Sequence, residues 1–114
     1  MEHSADLEKQ LSELAQQANK YERIHAEAES IFRDLESLKH DFFASVVDKQ
    51  AGKSTAEKER KARLSEDWKV WMCDFRNAQS NFIRSRADRN CAVRNWETCR
   101  SELSSSKVYR TTGL

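Results

Sequence analysis

The side chains from which a reaction centre would have to be built are few: His3, His25 and His40, the thiols of Cys73, Cys91 and Cys99, and a series of arginines from Arg76 onward. A zinc site needs ligands at close spacing, and the chain has no Cys-x-x-Cys pair and no histidine beside a cysteine. His40 and Asp41 are neighbours in sequence, but adjacent residues on a helix point about 100° apart and do not form an acid–base pair. Cys91 and Cys99 lie eight residues apart, which puts them roughly on one helix face without allowing a bridge. Reduced, packed thiols are the expectation, with no metal, no cofactor and no enzymatic activity.

The arginines carry more. Arg76, Arg84, Arg86, Arg89, Arg94 and Arg100 occur with only Asp88 and Glu97 as acids between the first and the last, and without a lysine. Guanidinium suits fixed, two-pronged contact with carboxylate or phosphate. Two uses stay open: answering acidic residues elsewhere in the chain, or meeting nucleic acid directly. A second basic group, Lys49, Lys53, Lys58, Arg60, Lys61 and Arg63, is interleaved with Asp48, Glu57 and Glu59 and reads as solvated surface.

The elements that must position these groups are helices. Two glycines and no proline in 114 residues leave little material for turns, and 38% apolar with 34% charged residues suits long helices that each bury one stripe. Apolar residues recur at Leu7, Leu11, Leu14, Ala18, Tyr21, Ile24, Ala28, Ile31, Leu35, Leu38 and Phe42. Two successive steps of three around Tyr21 resemble a stammer in a heptad seam. Helix one is predicted over about 5–47, with Ser4 as N-cap, and a turn over 48–53 around Gly52. Ser54-Thr55-Ala56-Glu57 has capping-box spacing and opens helix two, predicted over about 54–103. Its seam, Leu64, Trp68, Trp71, Phe75, Ala78, Phe82, Ser85, Arg89, Ala92, Trp96, Cys99 and Leu103, alternates steps of four and three throughout. Ser104-Ser105-Ser106 is expected to end it, leaving 104–114 as a frayed tail.

A short connection makes the helices antiparallel. The predicted fold is therefore all-α: one domain over 1–114, a coiled-coil-like helical hairpin that dimerises into a four-helix bundle. A turn centred near Gln50 or Ala51 sets Ile31 against Trp71, Ala28 against Phe75 and Leu7 near Trp96. The expected interface residues are Trp68, Trp71, Phe75, Phe82, Trp96 and Leu103. Ser85 and Arg89, the polar interruption, lie opposite Leu14 and Ala18 in that register. They form either a register-setting layer or, where the hairpin opens, a partner contact. Trp96 and Arg100 are spaced for guanidinium stacking on indole.

Net charge is +1, but residues 1–47 hold five Lys/Arg against ten Asp/Glu and residues 48–114 hold fifteen against nine. Neither a signal peptide nor a membrane-spanning run is present, so a cytoplasmic protein is expected. The function classes that remain are a non-enzymatic interaction protein, a nucleic-acid binder using the arginine cluster, and a coiled-coil scaffold.

Three stretches, Ala56-Glu57-Lys58-Glu59-Arg60, Ser65-Glu66-Asp67-Trp68-Lys69 and Trp96-Glu97-Thr98-Cys99-Arg100-Ser101, give residues 53–107 a resemblance to small helical accessory proteins of tailed phages and prophages. That resemblance implies an early-region protein without enzymatic motifs, binding and modulating a protein of nucleic-acid metabolism or antiviral defence in the host cytoplasm. The serine run followed by Val108-Tyr109, and the three tryptophans, depart from the pattern of that group.

Overall fold

The computed structural model describes residues 2–111, with side chains over 5–106. Among the described residues there are three helices and no strand: α1 (Glu2–Asp48), α2 (Thr55–Leu64) and α3 (Glu66–Thr111). The second predicted helix is thus two, divided at Ser65. Helix α3 runs through Ser104–Ser106 to Thr111, so the serines do not end it, and 112–114 lie outside the described residues. Ser4 falls inside α1 and is not its cap.

Contacts divide the chain into two compact units. The connection unit is Glu27–Ile83; the terminal unit joins the residues up to Ala26 with those from Arg84 on. Helices α1 and α3 contribute to both, and within each unit their segments pack antiparallel.

In the connection unit, Phe32, Phe75, Ala78 and Phe82 form a buried cluster, with Leu35, Trp71 and Met72 packed against it. Phe32 sits 5.5 Å from Phe75 and 5.2 Å from Phe82, ring centre to ring centre. In the terminal unit, Leu7, Cys99 and Leu103 are buried together, flanked by Leu11 and Leu14. Burying one large apolar side chain contributes roughly 1.5–3 kcal/mol, so these two clusters are the principal stabilising contacts of their units.

The seam of α1 differs from the predicted one. Buried positions include Leu7, Ala18, His25, Phe32 and Val46, whereas Ile24, Ile31 and Leu38 are 42%, 50% and 53% exposed. With His25, Phe32 and Lys39 in place of Ile24, Ile31 and Leu38, the steps of four and three alternate without a break from Leu7 to Val46, and the stammer disappears; Lys39 is the exposed member, its ammonium over the Phe75 ring. At each of these pairs the more apolar residue stands one position before the one that packs.

Register shifts as well. Phe32, not Ala28, meets Phe75; Phe42, not Ile31, stacks on Trp71; Leu7 meets Cys99 and Leu103. Phe42 against Trp68 and His25 against Ser85 each centre on residue 55, some five residues beyond the expected turn. The cause is α2, which lengthens the connection.

Its ends are well determined by local chemistry. Helix α1 stops with two tightened bonds, Lys49 N–H to the Val46 carbonyl at 3.2 Å and Gln50 N–H to the Val47 carbonyl at 3.0 Å, rather than with a left-handed glycine. Glu57 N–H donates to Ser54 Oγ at 3.2 Å, as a capping box requires, but the Glu57 carboxylate accepts from Lys53 N–H at 3.1 Å, one residue before the cap. Lys61 Nζ donates to the Ala51 carbonyl at 2.7 Å across the connection.

Ser65 ends α2 and starts α3. Extended backbone (φ −72°, ψ 151°) breaks the helix; its N–H and hydroxyl both donate to the Ala62 carbonyl, at 3.1 and 2.6 Å. Its Oγ accepts from Trp68 N–H at 3.3 Å, and Glu66 and Asp67 place negative charge on the first turn of α3. Ala62, fully buried, and Val46, 1% exposed, are the most enclosed apolar residues near this joint.

Candidate functional site

Among the described residues no three His, Cys, Asp or Glu side chains converge to hold a metal, and no helix is long and apolar enough to cross a membrane. One contact resembles a nucleophile–base pair: His25 Nδ1 lies 3.0 Å from Ser85 Oγ. His25 is 5% and Ser85 4% exposed, so both are packed between α1 and α3 where a substrate has no room to reach them. The arrangement suits a polar layer that fixes which α1 residue faces which α3 residue. Ser85 faces His25 and not Ala18. Arg89 is half-buried with its Nε 4.0 Å from Glu22 Oε1 and contacts to Asn90 Oδ1 at 3.1 and 3.3 Å.

The aromatic residues divide by exposure. Phe75, Phe82 and Leu103 are buried among this chain's own helices, whereas Trp68, Trp71 and Trp96 are half-buried. Trp68 stacks on Trp71 (5.5 Å, 9° between planes), Trp71 on Phe75 (5.5 Å, 14°) and on Phe42 (5.4 Å, 15°). Beside them a shallow pocket of about 350 Å³ is lined by Glu36, Lys39, His40, Phe43, Arg63 and Trp68. Its cations already lie over rings, Arg63 over Phe43 at 5.4 Å and Lys39 over Phe75 at 5.0 Å. Arg100 stacks over Trp96 at 4.7 Å, as their spacing allows.

The arginine cluster does not gather on one face. Relative to the α3 seam, Arg76 lies on one shoulder, Arg84 on the other, Arg94 on the back, and Arg86 and Arg100 flank the seam beside the shoulder of Arg76. Cys99 is buried, its thiol 3.6 Å from the Leu7 carbonyl, while Cys91 and Cys73 are exposed. Cys91 and Cys99 thus do not share a face.

The surface that sequence reasoning missed is on the connection unit. Ile31 and Leu38 follow one another seven residues apart along the edge of the α1 seam, with Val70, 52% exposed, on the same side of α3. Exposed carboxylates border them: Asp34 and Asp41 on α1, Asp67 and Asp74 on α3. The other side of the unit carries Ile83, 61% exposed, with Lys69 and Arg76 on α3 and Arg33 and His40 on α1. Arg33 there pairs with Glu36 at 3.1 Å.

The chain matches no family model, no curated protein and no solved structure.

The signals for the missed features are present in the sequence. Ser65-Glu66-Asp67 is a cap followed by an acidic first turn, and it announces the break before Trp68. Ile31-Phe32 presents two adjacent apolar residues where a single stripe needs only one, a sign that two helix faces are in use.

Proposed function

We propose that this chain is a non-enzymatic interaction protein whose first partner is a second copy of itself, docked on the connection-unit face that carries Ile31, Leu38 and Val70. The observation that supports this is the exposure of Ile31 and Leu38 at heptad spacing on a helix whose own seam is already filled by Phe32 and Leu35. A single exposed leucine is ordinary surface. Two in line, beside a valine, give α1 a second stripe of the kind a bundle helix uses to pack on two neighbours.

In this reading the assembly acts in the cytoplasm and modulates a protein of nucleic-acid metabolism or antiviral defence, the setting that the resemblance of residues 53–107 to phage accessory proteins suggests. Light scattering on the purified chain tests the first step. The wild type is expected to associate as concentration rises, and Ile31→Glu with Leu38→Glu to run as a folded monomer with unchanged helicity. A wild type that stays monomeric at every concentration overturns the proposal.

A further inference from the structure

The two sides of the connection unit are opposite in charge, and both carry exposed apolar residues. On one side Ile31 and Leu38 lie between two carboxylate rows, Asp34 with Asp41 and Asp67 with Asp74, each pair seven residues apart. No cation occupies the shoulder and edge positions of α1 and α3 on this side between Glu27 and Ile83, which are otherwise Glu27, Ser45, Asp48, Val70, Asn77 and Asn81. On the opposite side Ile83 stands in line with a basic row on α3, Lys69 and Arg76, at the same spacing, while α1 carries Arg33 and His40 beside Glu29 and Glu36. Glu36 offsets Arg33, so Lys69 and Arg76 are the stronger row.

We infer that copies of this chain associate head to tail, the Lys69–Arg76–Ile83 side of one connection unit seating on the Ile31–Leu38 side of the next. This rests on the self-association proposed above and specifies its geometry. A two-fold dimer through the Ile31–Leu38 face would bring four aspartates of each copy against the same four of the other, and like charges across an interface oppose association. Pairing unlike sides instead sets a carboxylate row against the Lys69–Arg76 row at equal spacing. Such an interface uses different surfaces on its two members, so a copy bound through one side keeps the other available, and growth continues into a ring or an open filament. The role of Arg76 is then contact with a carboxylate of another copy.

The experiment is a mixing test by sedimentation velocity on the full chain. One variant carries Ile31→Glu and Leu38→Glu, the other Arg76→Glu and Ile83→Glu; circular dichroism confirms that both remain helical. Wild type is expected to form species larger than a dimer, weakening as salt rises because screening removes the attraction. Each variant alone is expected to be monomeric, and an equal mixture to give a one-to-one complex that grows no further, since each retains the side the other lost. A charge-only pair repeats the test with the apolar residues intact: Asp34→Asn with Asp74→Asn, mixed with Lys69→Gln and Arg76→Gln, so that neither variant gains a new complementary side.

Wild type that stops at a dimer, strengthens with salt, and persists in the Arg76→Glu, Ile83→Glu variant overturns the head-to-tail geometry while leaving self-association standing. Monomeric wild type overturns both.

Discussion

The Nδ1 of His25 lies 3.0 Å from the hydroxyl of Ser85, although the two residues are sixty positions apart in the chain. Each is almost wholly enclosed, so the bond is made in a poorly hydrated seam where its loss is felt. Ser85→Ala is expected to lower stability by roughly 1–2 kcal/mol. Ser85→Ala combined with His25→Leu is expected to cost less than the sum of the single changes, because the double variant removes both polar partners. A double-mutant cycle from urea midpoints reads the coupling; additive costs would show that the two side chains do not interact.

The one-residue shift of the α1 seam gives a sharp contrast between neighbours. Phe32→Ala is expected to cost about 3–5 kcal/mol, as for a ring removed from a packed cluster. Ile31→Ala is expected to change the stability of the monomer by about 0.5 kcal/mol or less. Equal costs in denaturant titrations would place Ile31 in the seam after all.

Ser65 supplies the cap of α3 through Oγ and the Trp68 N–H. Ser65→Ala is expected to lower stability by about 1 kcal/mol, whereas Ser65→Asp, which keeps an acceptor beside the positive end of the helix, is expected to retain most of it. Thermal unfolding followed by circular dichroism compares the two. A stable Ser65→Ala would show that the break does not depend on this cap.

Glu57 titrates below the usual glutamate range, first because Lys53 N–H donates to it and then because of Lys61. A carboxylate depressed in the folded state stabilises above its unfolded pKa, and that contribution is lost as pH falls through the folded value. The thermal midpoint of the wild type is therefore expected to fall more steeply than that of Glu57→Gln between about pH 5 and pH 3, the ordinary glutamate range and just below it. Parallel curves would remove Glu57 from the account.

Gly52 has no left-handed backbone, and a methyl group added there would approach Lys58 Cγ at 3.1 Å, on a side chain that can swing aside. Gly52→Ala is therefore expected to raise stability by roughly 0.4–1 kcal/mol by restricting the unfolded chain. A lower urea midpoint would show that Lys58 does not yield.

The α3 seam was legible from Trp68 to Leu103 because its steps of four and three alternate throughout, which singles out Trp71 between Val70 and Met72 and Phe82 beside Ile83. In α1 the pairs Ile24-His25 and Ile31-Phe32 were ambiguous, and hydrophobicity favoured the wrong member of each. What decided the matter was the partner: Ser85 accommodates an imidazole, and the space among Phe75, Ala78 and Phe82 accommodates a ring. Register was lost for a different reason. A ten-residue helix between the long ones is invisible to periodicity when only Ala62 of its residues is buried. The exposed acidic and basic sides could be read only after the seam was fixed, since a shift of one residue turns every side chain by about 100°.

Ser65 leaves no slack between two helices. A residue inserted there would separate the Ser65 hydroxyl from either the Ala62 carbonyl or the Trp68 N–H, and carry the seam from Trp68 onward away from its partners on α1. The stretch from Lys49 to Lys53, which lies outside any helix, has no such phase to keep. Length variation among chains of this kind should therefore be permitted on the α1 side of α2 and forbidden on its α3 side, a mark of common ancestry that survives after the residues themselves have changed.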